Sequence, residues 1–70
     1  MNTRLRDFRK EQCLSIPEMS KGLGVSRSTY EKVEYEQRTP SYNFVRRFKA
    51  KYPNADTDAL FFTSSYTENV

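Results

Sequence analysis

The chain has 70 residues, of which 12 are lysine or arginine, nine are aspartate or glutamate and none is histidine, giving a formal net charge of +3. This length allows one small domain with a core close to the lower limit for independent stability. The single cysteine, Cys13, excludes an internal disulfide, the lack of histidine argues against a structural zinc site, and no apolar run is long enough to span a membrane.

The first predicted helix covers about residues 3–12. Leu5 and Phe8 stand three positions apart and therefore share one face, while charged residues occupy most of the remaining surface. Thr3 is the predicted N-terminal cap of this helix.

The second helix is predicted to begin after Ser15, where the sequence has the pattern of a capping box. Serine stands at the cap position and Glu18 follows three residues later, which lets each side chain bond to the backbone of the other residue. Met19 and Leu23 supply an apolar face. Gly24 is predicted to end the helix, because glycine readily adopts a left-handed conformation.

A third helix is predicted to start at once, with Ser26 as its cap and Tyr30 and Val33 as its buried pair. The connection after Gly24 is only about three residues long, and a turn that short makes two helices cross steeply. Val25 is positioned to fill the angle between them.

Two further helices complete the predicted organisation. Ser41 caps the fourth, in which Phe44 and Phe48 belong to one buried stripe, and Asp56 caps a short fifth helix. The sequence therefore predicts an all-α domain, a compact bundle of five short helices over residues 1–62. Residues 63–70 are predicted to be a polar C-terminal tail.

Positive charge is concentrated in the first part of the chain. Residues 1–51 contain all 12 basic residues and six of the nine acids, a net charge of +6, whereas residues 52–70 contain three acids and no base. Such a module suits a polyanionic partner, although an ordinary solvated surface has the same composition. The basic residues of the fourth helix fit either interpretation, a solvated face or a weak nonspecific attraction to DNA; they are Arg46, Arg47, Lys49 and Lys51.

The stretch IPEMSKGLGVSRSTYEKVEYEQRTP, residues 16–40, resembles the DNA-binding domains of lambdoid phage repressors and Cro proteins. The resemblance covers about residues 5–61. It includes Arg9, which stands five residues before Leu14. It also includes the pattern LGVSRST, with Glu34 after four further residues, and Pro40 before the next helix.

This resemblance implies a lambda-repressor-like fold with a helix-turn-helix, in which the helix after Ser26 lies in the major groove of double-stranded DNA. It assigns base contacts to Arg27, Ser28 and Lys32, with Thr29 near the backbone or a thymine methyl group. Arginine can bond to guanine through two parallel hydrogen bonds, and the serine hydroxyl can donate or accept.

The family also implies contacts to phosphates, which position the protein without reading sequence. The residues expected to make them are Ser15, Ile16, Pro17, Ser26, Gln37, Arg38, Ser41 and Tyr42. In the same family, residues matching Arg9 and Glu34 form a buried structural ion pair.

Three residues depart from the family pattern. Ile16 stands where a glutamine often contacts phosphate, Tyr30 replaces an aliphatic residue and needs a partner for its hydroxyl, and Glu36 occupies a frequent glycine position. A left-handed conformation at Glu36 would cost about 1 kcal/mol.

The aromatic residues near the end of the chain have two interpretations. Phe61 and Phe62, together with Tyr66, could form a dimer interface, because the resembled proteins bind two half-sites as dimers. Alternatively, both phenylalanine rings close the core of the monomer.

The resulting hypothesis is a cytoplasmic, sequence-specific transcriptional regulator of the Cro or repressor type, from a phage or other mobile element, that binds a palindromic operator as a homodimer. The alternative is a protein-interaction module, such as an antitoxin or accessory factor, that uses the same fold to hold a protein. No enzymatic activity, cofactor, metal, small-molecule ligand or membrane association is expected, since the sequence lacks histidine and a glycine-rich phosphate loop.

Overall fold

The computed structural model describes residues 1–62, which form five α-helices with no strand among them. The helices are α1 (Thr3–Glu11), α2 (Ile16–Leu23), α3 (Arg27–Glu34), α4 (Tyr42–Lys51) and α5 (Thr57–Phe61). The prediction of a compact all-α arrangement with five short helices is confirmed. Tyr66 and the tail predicted at 63–70 lie outside the described residues.

Helix starts are set by short polar side chains that accept a backbone N–H of the first turn. Ser15, Ser26, Ser41 and Asp56 all do so, as predicted. The predicted cap of α1 was wrong: Asn2 is the cap and accepts from the Leu5 N–H at 3.0 Å, which places Thr3 inside the helix.

The core is a single cluster to which every helix contributes. Its fully buried members include Leu5 of α1, Met19 of α2 and Tyr30 of α3. Phe44 and Phe48 of α4 add two aromatic rings to the centre. A domain of this size depends on such rings, because each aromatic side chain removes a large apolar area from water.

Phe61 belongs to this core, which argues against its prediction as an exposed dimer contact. Only 8% of the residue is exposed, and its ring packs edge-on against Phe48 at 5.2 Å and Phe44 at 5.8 Å between centroids. Phe62 is half-buried and lies 6.3 Å from the Phe61 ring. For Phe61, the interpretation as a ring that closes the monomer core is therefore the one the structure supports.

None of the helices within residues 1–62 combines the length and apolar character needed to cross a bilayer.

Candidate nucleic-acid interface

Helices α2 and α3 meet through a turn that is built around Gly24. This residue has a φ of 74° and its N–H donates to the Lys21 carbonyl at 3.1 Å, while the Val25 N–H donates to the Ser20 carbonyl at 3.1 Å. These two bonds end α2 at Leu23, and α3 begins at Arg27 after a three-residue connection. Ser20 is buried, and its hydroxyl donates to the Pro17 carbonyl at 2.9 Å.

The positive φ is what favours glycine at position 24, and the end of an arginine side chain from α4 lies close to it. A Cβ at this position would stand 2.7 Å from Nη1 of Arg47. The guanidinium therefore occupies the C-terminal end of α2, where the helix dipole favours positive charge. In this way α4 supports the α2–α3 turn from outside.

The inner face of α3 is fixed by an ion pair with α1. Arg9 Nε donates to Glu34 Oε1 at 2.9 Å, and the Glu34 side chain has no exposed surface. Arg9 Nη1 also donates to the Leu14 carbonyl at 2.9 Å, next to the start of α2. Its hydrogen bond with Glu34 raises the pKa of Arg9 above the ordinary value. Arg9 of α1 thus binds both α3 and the connection that leads into α2.

Tyr30 completes this buried group. Its hydroxyl donates to the same Glu34 oxygen at 2.9 Å, and the residue is fully buried. Burial, reinforced by the hydrogen bond to Glu34, raises the pKa of the Tyr30 hydroxyl far above its usual range. The Tyr30 hydroxyl, for which the sequence indicated no partner, is therefore hydrogen-bonded inside the core.

The outer face of α3 is open to solvent. Arg27, Ser28 and Lys32, three of the four residues predicted to contact bases, are exposed there. Thr29 differs, because it is half-buried and its hydroxyl accepts from the Ser26 hydroxyl at 2.8 Å. The Thr29 N–H also donates to Ser26 Oγ, so both hydroxyl groups serve the helix cap.

Arg27 already has an anionic neighbour on its own helix. Its Nη2 lies 3.9 Å from Oε2 of Glu31, one turn further along, and 66% of the Arg27 side chain is exposed. An exposed pair at this spacing contributes only about 0.3–0.5 kcal/mol. The guanidinium can therefore leave Glu31 at small cost when a stronger partner arrives.

The phosphate contacts predicted at the start of α2 have few donors available. The Ser15 N–H donates to the Glu18 carboxylate at 2.9 Å, which lowers the pKa of Glu18, and Pro17 has no N–H. The Ser15 hydroxyl is used as the helix cap. Of the three residues predicted there, only Ile16 keeps a backbone N–H that no group within residues 1–62 accepts. Ser15 and Pro17 thus offer a phosphate no free backbone N–H, although the Ser15 hydroxyl can still donate its proton, and the predicted contacts of both residues stay predictions.

The loop after α3 and the start of α4 present more open groups. The side chains of Gln37, Arg38, Ser41 and Tyr42 are exposed, although the Ser41 hydroxyl accepts the Phe44 N–H as a cap. The loop folds back tightly, because the Gln37 N–H donates to the Lys32 carbonyl at 2.8 Å.

Within residues 1–62, two residues other than glycine adopt a left-handed conformation. Glu36 has a φ of 62°, as its place at a frequent glycine position suggested, and Cys13 has a φ of 61°. Backbone of this kind strains any residue that carries a Cβ.

Three features of this surface escaped the sequence analysis. The Arg27–Glu31 pair could have been found from the four-residue spacing alone. The competition between the capping box and a phosphate also follows from the bonding that a capping box requires. The position of Arg47 over Gly24 had no local signal, because it depends on how α4 lies across α2.

Within residues 1–62, no three potential metal ligands of the histidine, cysteine or carboxylate type gather at one place.

Comparisons with protein-family models, with curated proteins and with solved structures find no match for this chain. The resemblance to the repressor and Cro group, which covers about residues 5–61, therefore stays a prediction from the sequence.

Proposed function

We propose that this protein is a sequence-specific regulator that binds double-stranded DNA, with α3 of a lambda-repressor-like helix-turn-helix in the major groove. The observation that carries the proposal is the contrast between bonded and exposed side chains on α3. Glu34 pairs with Arg9 of α1 and the Tyr30 ring stacks on Phe44 of α4 at 6.2 Å between centroids, while Arg27, Ser28 and Lys32 are exposed to solvent.

This contrast supports base reading because a helix fixed by its buried residues presents its exposed donors from a defined backbone position before the DNA arrives. Arg27 can form two parallel hydrogen bonds with guanine, and Lys32 can reach a guanine or a phosphate. Positive side chains on the neighbouring loop, such as Arg38, supply the sequence-independent attraction to phosphates.

The pairing of two copies on an inverted repeat comes from the family resemblance. Because Phe61 is buried in the monomer, this pairing would have to use other residues.

The direct test selects binding sequences for the pure protein from a library of random duplexes at two salt concentrations. An enriched inverted repeat with guanine in each half-site is the expected result. Weak binding that depends on salt but not on sequence would overturn the proposal and favour a protein partner instead.

A further inference from the structure

Helix α4 carries positive charge that no carboxylate of the described residues pairs with. Its four cations are exposed, and α4 contains no carboxylate; they are Arg46, Arg47, Lys49 and Lys51. Among residues 1–62, the ion pairs within 4.0 Å involve other cations, including Arg9 and Arg27. A helix with uncompensated charge of one sign attracts polyanions.

Two of these cations border an open recess of about 290 Å³. Its lining consists of Asn43, Arg46, Arg47 and Ala50. The small side chain of Ala50 leaves room beside the two guanidinium groups, whose forked N–H donors match the oxygens of a phosphate. The Asn43 amide offers a further donor. Because the recess is open, a polymer chain can enter and leave it.

The recess adjoins Tyr42, which the sequence predicts to contact a phosphate. Tyr42 is 77% exposed and its ring faces Arg46, whose guanidinium carbon lies 5.9 Å from the ring centroid. At the other side, Arg47 reaches Gly24 in the α2–α3 turn. The recess therefore lies between the start of α4 and the turn that orients α3.

We infer that this recess is a second contact site for a nucleic-acid backbone, which binds a phosphate of duplex DNA through Arg46 and Arg47. The inference extends the proposed function and depends on it, because the same duplex is the partner. Its contribution is independent of base sequence, so it adds affinity and salt dependence and leaves the preference for one sequence unchanged.

The test measures binding to a random-sequence duplex that extends well beyond one half-site, over a series of salt concentrations. Arg46→Gln removes one cation of the recess, and Lys10→Gln removes an exposed cation of α1 as the matched control. Each phosphate contact contributes about 0.9 to the slope of log affinity against log salt concentration. Arg46→Gln is expected to lower the slope by about that amount, and Lys10→Gln to leave it unchanged.

Equal slopes for the two variants would overturn the inference. A second arm replaces DNA with polyglutamate: if Arg46→Gln weakens polyglutamate binding as much as DNA binding, the surface fits an acidic protein instead and the inference also fails. Failure of the proposed function has a different signature, because the selection experiment then yields no preferred sequence even though the recess still changes the salt slope.

Discussion

The side chains on the two faces of α3 differ in how many of their polar groups are already hydrogen-bonded within the protein. On the inner face, each polar group of Glu34 and Tyr30 bonds to another buried group. On the outer face, Arg27 has one weak neighbour and the Ser28 and Lys32 side chains have no hydrogen-bond partner in residues 1–62. The contrast shows that a short helix can present free donors because its other side is rigidly bonded.

The largest effect is expected from removing Arg9, the α1 cation that pairs with Glu34 on the inner face of α3. Arg9→Ala leaves the Glu34 carboxylate buried without its ion-pair partner, and such a change typically costs about 3–5 kcal/mol. We expect the free energy of unfolding, measured with denaturant, to fall by that amount. Lys10→Ala, at the neighbouring exposed position, should change it by less than about 0.5 kcal/mol. Similar losses for the two variants would contradict the structural role of Arg9.

A milder change on the same face removes only a hydroxyl group. Tyr30→Phe keeps the buried ring and deletes a hydrogen bond to a charged group, which is worth about 1.5–3 kcal/mol. Tyr52→Phe is the matched control, because the Tyr52 hydroxyl meets only the weak acceptor Met19 Sδ at 3.6 Å. Thermal or denaturant unfolding should show the larger loss for Tyr30→Phe; the reverse order would show that the buried hydroxyl contributes little.

The outer face predicts the opposite pattern, a loss of recognition without a loss of stability. Arg27→Ala should weaken binding to the selected duplex by about 1–3 kcal/mol and relax the preference at one base position. Its unfolding should stay close to that of the unchanged protein, because the pair with Glu31 is exposed. Competition assays with single-base variants of the duplex measure the effect, with the exposed Lys21→Ala as control. A uniform loss across all duplexes would mean that Arg27 contacts only the backbone.

The smallest expected effect is an increase in the free energy of unfolding. Glu36→Gly relieves a left-handed residue just after α3 and should raise the free energy of unfolding by about 1 kcal/mol. Cys13→Gly, at the other strained position, should act in the same direction. Destabilisation by both substitutions would show that the backbone is not strained at either position.

Local sequence signals were enough for most of the fold. The serine caps and Gly24 determine where α2 and α3 begin and end, because they act through bonds within a few residues. The buried pair of Arg9 and Glu34 followed from the family resemblance rather than from spacing, since 25 residues separate the two along the chain.

The remaining features depend on how the helices pack together. Asn2 and Thr3 both have side chains that can cap a helix. In the folded protein Asn2 is the cap, and its side chain also donates to the distant α5. Phe61 and Phe62 are adjacent at the end of a short helix, so the pattern could not decide which ring turns inward. At the candidate interface, the exposure of Ser28 and Lys32 was predictable from helical spacing. That spacing puts Arg27 on the side of Glu34, seven residues later, and the recess beside Arg46 required the position of α4.

The contacts of Asn2 have a consequence for the time at which the protein can fold during its synthesis. The Asn2 side chain donates to the Leu60 carbonyl at 2.7 Å, and Arg4 donates to the Ala59 carbonyl at 3.2 Å. The beginning of the chain is thus bonded to α5, which also brings the Phe61 ring to Phe44 and Phe48. A nascent chain that has not yet released α5 from the ribosome leaves these two rings uncovered, so the domain becomes complete only after nearly all of the described residues have emerged.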